Sequence, residues 1–136
     1  MTFDKFTIKA QEAVQEAVNT ATRNGQQIVE PVHLLKGVMT KAKDVSSYIF
    51  RKLGANANQI ETVLDSEIAR LPKVQGGQPY LSNSASEVLQ KATDISQKMG
   101  DEFVSVEPLM LALLTVNSTA SRIMKDAGLT ENDARQ

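Results

Sequence analysis

Apolar residues return every three or four positions along most of this chain, which is the spacing of an amphipathic helix. The first stripe consists of Ala10, Ala13, Val14, Ala17, Val18 and Ala21. Thr7 precedes it as a candidate N-cap and Gly25 follows its end, so the pattern predicts a helix over residues 8–23. Since the stripe is mostly alanine, a neighbouring helix can approach this one closely.

Further helices are predicted from the same spacing. One begins at Pro31, others cover residues 45–52, 58–71, 83–98, 106–116 and 119–126, and a last one begins near Glu131. Ile95 and Met99 fall on the inner stripe of the fifth helix, and the sixth is apolar around most of its circumference, so it should be central. No segment of useful length alternates like a strand. The chain is therefore predicted to be all-α, with eight helices.

The same arrangement of apolar residues and glycines occurs twice along the chain. An offset of 75 residues takes Phe6 to Leu81, Gly25 to Gly100 and Val29 to Val104. Such a register predicts two pseudo-symmetric four-helix repeats that bury their faces against each other. The first repeat covers about 6–71 and the second about 81–136, within a single domain of residues 1–136. Residues 72–80 contain two prolines around a glycine pair and are interpreted as the linker.

Composition narrows the functional classes. The net charge is −1, and lysines and arginines are scattered rather than clustered, which argues against a nucleic-acid-binding surface. There is no cysteine, and so neither a thiol nucleophile nor a thiolate metal site. The first residues lack the apolar run of a signal peptide, and no stretch has the length of a membrane span. We expect a cytoplasmic protein without a membrane partner.

Sequence signatures of catalysis are missing. The chain has no phosphate-binding loop, no nucleophile elbow and no metalloprotease motif. His33 is the only histidine and is interpreted as a polar residue in the first turns of the second helix. Glu12 and Glu16 lie one turn apart like an acid/base pair, but they fall between stripe positions and are interpreted as a solvated face. The residues alone predict a non-enzymatic helical module that binds another molecule.

The repeated unit also resembles a known family. Residues 6–13, 28–35, 71–74 and 100–107 carry the resemblance, with glycine and an Ile-Val or Phe-Val pair between the two helices of each repeat. On these segments the chain resembles the double Clp N-terminal repeat of the Clp family of AAA+ unfoldases, and within it the protein-disaggregating branch. The resemblance covers essentially the whole chain.

The resemblance implies that ATPase modules and a coiled-coil middle domain accompany this piece in a hexameric ring. ATP and Mg²⁺ would bind to those modules, and no cofactor or metal is expected in this one. The implied partners are unfolded or aggregated polypeptide clients and the remainder of its own chain. The isolated piece is expected to be monomeric.

The resemblance further implies a substrate-binding site at Thr7, Asp101 and Glu107. Each residue also has a structural interpretation: Thr7 as an N-cap, Asp101 as a turn residue and Glu107 as a favourable charge in a first helical turn. A neighbouring groove on the fifth and sixth helices forms a secondary set of candidates, which are Lys91, Ile95 and Pro108. Lys91 and Pro108 depart from the leucines that relatives tend to carry there.

A sister branch of the family provides the alternative function, which is binding of adaptors or phosphoarginine degrons for a protease partner. Such domains carry a glutamate at the opening of the second helix and again at the sixth. Here the two positions hold Val32 and Glu107, so two matched clamps are not available. A single site at Glu107 remains open.

Overall fold

The computed structural model describes residues 3–129, and over this range the fold is all-α with two very short strands. Its elements are α1 (Ile8–Arg23), β1 (Ile28–Val29), α2 (Pro31–Lys41), α3 (Lys43–Lys52), α4 (Ala57–Ala69), β2 (Tyr80–Leu81), α5 (Asn83–Lys98), α6 (Val106–Thr115) and α7 (Thr119–Asp126). The eighth helix, expected near Glu131, lies outside the described residues. No described helix has both the length and the apolar character needed to cross a membrane.

Local chemistry sets the ends of α1 and α5. The hydroxyls of Thr7 and Ser82 accept hydrogen bonds from the amides of Ala10 and Ala85, at 3.2 and 3.0 Å, which satisfies an otherwise unpaired donor in each first turn. At the other ends, Gly25 and Gly100 have φ angles of 69° and 77°. Glycine takes this left-handed conformation at little cost, so both helices end where the sequence predicted.

The strands, which the helical pattern did not reveal, join the two halves. Val29 in β1 pairs in parallel with Leu81 in β2, and Phe6 forms an equivalent bridge with Val104. The Ser82 amide donates to the Val29 carbonyl at 3.0 Å, and the Thr7 amide donates to the Val104 carbonyl at 2.9 Å. Adding 75 to the numbers of Phe6 and Val29 gives Leu81 and Val104, so the two pairs are equivalent under the repeat. Each half therefore supplies a strand residue to the other half.

One hydrophobic core runs between the halves. The alanine stripe of α1 is buried, as are Leu34 and Leu35 of α2 and most of α6. Residues 72–79 are exposed, whereas Tyr80, assigned above to the linker, already belongs to β2. The Val74 amide donates to the Gly25 carbonyl at 2.9 Å, which holds the connection against the end of α1.

Candidate functional site

Two surface grooves meet at Glu107, one of the predicted site residues. The first, here called the α5–α6 groove, has a volume of about 390 Å³. It is lined by Lys91, Asp94, Ile95, Lys98, Met99, Glu107 and Leu111. The second, the α3–α6–α7 groove, has a volume of about 320 Å³ and shares Glu107 and Leu111 as its edge. The first turns of α6 thus form a ridge between two partly apolar depressions.

Helical spacing explains the composition of the α5–α6 groove. Lys91, Ile95 and Met99 follow one another at intervals of four residues, so they share a face around the end of α5. Glu107 and Leu111 are related in the same way on α6. Ile95 and Leu111 are half-buried, and Met99 is 53% exposed. The apolar groups therefore remain accessible to a ligand, with charges beside them.

Glu107 carries a carboxylate that is not paired with either lysine of the groove, Lys91 or Lys98. It is exposed in the first turn of α6, where the helix dipole favours a negative charge. Within residues 3–129, its side chain makes neither a salt bridge nor a hydrogen bond to another side chain. The same holds for Asp101, whose amide donates to the Ser96 carbonyl at 2.9 Å as part of the turn after α5. Both carboxylates are thus available to a basic group of a ligand.

The structure brings together only some of the predicted site residues. Lys91, Ile95 and Glu107 line the α5–α6 groove. Thr7 and Asp101 lie outside its lining. Thr7 acts as an N-cap, and its amide joins the start of α1 to the segment that leads into α6. Pro108 is buried and lines neither groove.

Sequence reasoning missed the exposure of several apolar side chains, one of them in this groove. The stripe position predicts that Met99 lies inside, which is wrong, because the residue follows the last turn of α5 and its side chain is 53% exposed. Ile8 is 77% exposed, and Phe103 is 44% exposed beneath the Lys5 ammonium, 5.8 Å from the ring centroid. The Thr7–Val104 hydrogen bond brings the segments that carry Ile8 and Phe103 together. A helical pattern does not reveal such residues, since they lie at helix ends and in a strand segment.

His33 is buried within a hydrogen-bond network rather than available to a ligand. Its Nδ1 accepts from the Glu30 amide at 2.8 Å, so the proton resides on Nε2, which donates to Gln26 Oε1 at 2.7 Å. The Gln26 amide in turn donates to the Ile68 carbonyl at 2.6 Å. Burial lowers the pKa of His33 to about 4, which keeps the ring neutral. Among residues 3–129, no group of three or more side chains could hold a metal ion.

The prediction that Glu12 and Glu16 form a solvated face on α1 is wrong for Glu16. Glu12 is exposed, but Glu16 is buried, and its Oε2 accepts from Arg23 Nη2 at 2.6 Å. The Thr20 hydroxyl lies 3.4 Å from the same oxygen. The hydrogen bond from Arg23 is the main cause that holds the pKa of Glu16 below its usual range. Thr20 and Arg23, which lie one and two helical turns after Glu16, offset the free-energy cost of burying its carboxylate.

The fold and this surface define the class of protein. Residues 5–127 match the model of the Clp repeat N-terminal domain, and the chain belongs to that family. It is 58% identical, over 99% of its length, to the chaperone protein ClpB of Bacteroides thetaiotaomicron, and 47% identical, over 96%, to that of Porphyromonas gingivalis. It spans 16% and 15% of the lengths of these two relatives.

Solved structures show the same fold. The N-terminal domain of Hsp104 from Candida albicans superposes with a TM-score of 0.83 at 21% identity, covering 97% of this chain and 87% of that one. The N-domain of ClpV from Vibrio cholerae gives a TM-score of 0.80 at 17% identity, covering 98% and 82%. At these identities the likeness concerns the fold alone.

Proposed function

We propose that this domain captures unfolded or aggregated polypeptide and delivers it to the ATPase ring of a cytoplasmic disaggregase of which it is one part. The α5–α6 groove carries this proposal. It combines accessible apolar groups at Ile95, Met99 and Leu111 with the carboxylate of Glu107, which makes no salt bridge within residues 3–129. In this assembly, ATP and Mg²⁺ would bind to the other modules, and the isolated domain is monomeric.

The chemistry of the groove suits a broad range of unfolded clients. Apolar side chains of an unfolded chain gain by leaving water, without requiring a particular sequence. Glu107 and Asp101 favour segments that also carry lysine or arginine. One shallow groove buries little area, so a single domain binds weakly, and several copies in one ring raise the binding strength through avidity.

The relatives support a peptide-binding role. The two ClpB relatives are named chaperones. A ClpV N-domain of the same fold, with a TM-score of 0.77 at 18% identity, has been solved in complex with a VipB peptide. The alternative, a pair of degron clamps, has less support because Val32, at the position equivalent to Glu107, is buried and uncharged.

The test is a fluorescence titration of a reduced, carboxymethylated lactalbumin with the domain. Met99→Glu places a charge among the apolar groups of the groove and should weaken binding about fivefold. Asp101→Ala combined with Glu107→Ala should also weaken it, while helicity and melting temperature stay nearly unchanged because neither carboxylate has a side-chain partner within residues 3–129.

Val74→Glu is the matched control. Val74 is 50% exposed, close to the 53% of Met99, and it lies beside Thr22 and Gly25 at the end of α1. The control should bind the client like the parent. If Met99→Glu and the double variant bind as well as the parent, the α5–α6 groove is not the capture site.

A further inference from the structure

The α3–α6–α7 groove lies on the other side of the α6 ridge and is the more apolar of the two. It is lined by Asp44, Val45, Tyr48, Ile49, Lys52, Leu53, Glu107, Met110, Leu111, Leu114, Met124 and Leu129. Met110, Leu114, Met124 and Leu129 are buried and form its floor, whereas Tyr48 is 60% exposed at the rim. Methionine side chains adapt their shape to different apolar ligands. The floor is therefore suited to receive apolar side chains from outside.

The backbone around this groove favours a helical ligand. The described groove residues come from α3, α6, α7 and the short turns that follow α3 and α7. Within a helix, amides and carbonyls already pair with each other, so the three helices offer no strand edge. An extended peptide that reached this buried floor would press its own unpaired amides and carbonyls against an apolar wall, at a cost of about 1–3 kcal/mol for each group that is left unsatisfied, whereas on the shallower α5–α6 groove these groups can stay in water. A helix satisfies these groups itself.

The charged side chains at the rim of the groove also favour one kind of ligand over another. The carboxylate of Asp44 has no salt bridge within residues 3–129, and the same is true of Glu107. The one cation in the lining, Lys52, has its ammonium over the Tyr48 ring, 5.9 Å from the centroid. The rim therefore favours a ligand that brings a positive charge to Asp44.

We propose that the α3–α6–α7 groove is a second docking site, which binds an amphipathic helix of a partner protein through its apolar face and a lysine or arginine next to that face. Two or three turns of such a helix would place leucine-like side chains on the methionine floor. This site is independent of the proposed capture of unfolded chains, although the two grooves share one edge.

The probe is a hydrocarbon-stapled helical peptide of about fourteen residues, or roughly four turns, with leucines along one face and one lysine beside them. Methionine methyl groups labelled with ¹³C report on the two grooves separately. Met110 and Met124 lie in the α3–α6–α7 groove, and Met99 lies in the α5–α6 groove. Titration should shift the signals of the first two methyl groups and leave that of Met99 in place.

Variants outside the shared edge make the test specific. Tyr48→Ala removes an exposed ring from the rim and should weaken peptide binding about tenfold. Asp44→Lys should weaken it about fivefold, and a peptide with glutamate in place of its lysine should recover the loss on this variant. Met99→Glu is the control and should bind the stapled peptide like the parent, although its affinity for the unfolded client is about fivefold lower.

Several results would overturn the proposal. One is a shift at Met99 without shifts at Met110 and Met124. Another is equal binding of a linear peptide whose central leucine is replaced by proline, since proline interrupts the helix and removes one of its apolar contacts. Failure of the glutamate peptide to recover binding to Asp44→Lys would remove the charge argument. Methyl shifts that depend on protein concentration alone would identify the occupant as a second copy of this chain.

Discussion

The two helix pairs α1–α2 and α5–α6 occupy equivalent places in the two halves, yet only the second leaves an apolar groove. At the crossing of α1 and α2, a Cβ atom on Gly37 would overlap the backbone carbonyl of Ala13. The equivalent positions in the second half hold Ala112 and Val88, which are larger. Because side-chain size at the crossing sets how closely two helices approach, α5 and α6 are held further apart.

The outer surfaces of the two helix pairs also differ, and again the α5–α6 pair has the more accessible apolar surface. On α1, Glu16 and Arg23 form an ion pair along the side of the helix. The equivalent residues on α5 are Lys91 and Lys98, which have like charges and cannot form such a pair, and Ile95 lines the groove beside them. One copy of the unit thus contributes to stability through close packing, while the other copy keeps an accessible apolar surface.

Among the variants that test this comparison, a substitution at the close α1–α2 crossing should have the largest effect on stability. Gly37→Ala requires α1 and α2 to separate, and we expect it to lower the free energy of unfolding by about 3 kcal/mol. Urea unfolding followed by circular dichroism measures this loss. The matched variant Ala112→Gly should cost only about 1 kcal/mol, mainly through backbone entropy. Equal losses in the two variants would show that the crossings do not differ as described.

The buried histidine should give the first half a pH dependence that the second half lacks, since Pro108 occupies the position equivalent to His33. The folded state has a His33 pKa of about 4, below the usual 6.5, so the unfolded chain binds the proton first as the pH falls. Stability is complete above pH 6.5 and declines towards pH 4. Between pH 7 and pH 5 the loss should be on the order of 2 kcal/mol.

Two measurements check this pH effect. His33 is the only histidine, so its ring signals in the folded protein can be followed directly by NMR and should not titrate above about pH 5. His33→Gln should be less stable at pH 7 because the Glu30 amide and Gln26 lose an ideally placed partner. Its stability should be almost constant between pH 7 and pH 5. A folded-state titration near pH 6.5 would contradict the buried network.

Transferring the surface of α1 to α5 should make the groove less apolar without changing the helix crossing. Lys91→Glu combined with Ile95→Thr reproduces the side chains of Glu16 and Thr20, and Lys98 can replace Arg23 as the cation. We expect client affinity to fall about fivefold as the apolar contact is lost. The free energy of unfolding should change by less than about 1 kcal/mol, because a surface ion pair contributes little. Unchanged client binding would separate the groove from the proposed function.

Substitutions at the two N-caps should have nearly equal effects on the stability of the domain. Thr7→Ala and Ser82→Ala each remove one hydrogen bond from a first turn and should each cost about 1 kcal/mol. If Thr7 also contacts a client, Thr7→Ala should weaken client binding and Ser82→Ala should not. Parallel unfolding curves and titrations measure both quantities. Equal binding by the two variants would leave Thr7 with a structural role only.

The helices were predictable because the signals that start and end them are local. For α1, α5 and α7 the predicted ranges agree with the structure, since caps, glycines and apolar spacing all lie within a few residues of each helix end. At α3 and α4 the predicted ends are off by one or two residues. No cap or glycine marks the start of α3, so the pattern gave only its approximate position.

The candidate site was predictable only in part because it depends on distances between helices. The repeat pattern and the family resemblance pointed to Glu107, Lys91 and Ile95. Neither revealed the opening between α5 and α6, which follows from the sizes of two side chains in the crossing, nor the exposed position of Met99 at a helix end. The burial of Glu16 and His33 depends on partners that a hydrophobic pattern does not display.

The exchanged pairing of Phe6 with Val104 and of Leu81 with Val29 has an evolutionary consequence. Neither half completes its own strand contact, so an ancestral gene of half this length could have made these pairs only as a homodimer with crossed arms. Tandem duplication and fusion would have turned that dimer into a single chain and freed its two halves to diverge. Separately expressed halves should accordingly be unstable alone and should reconstitute the helical fold when mixed.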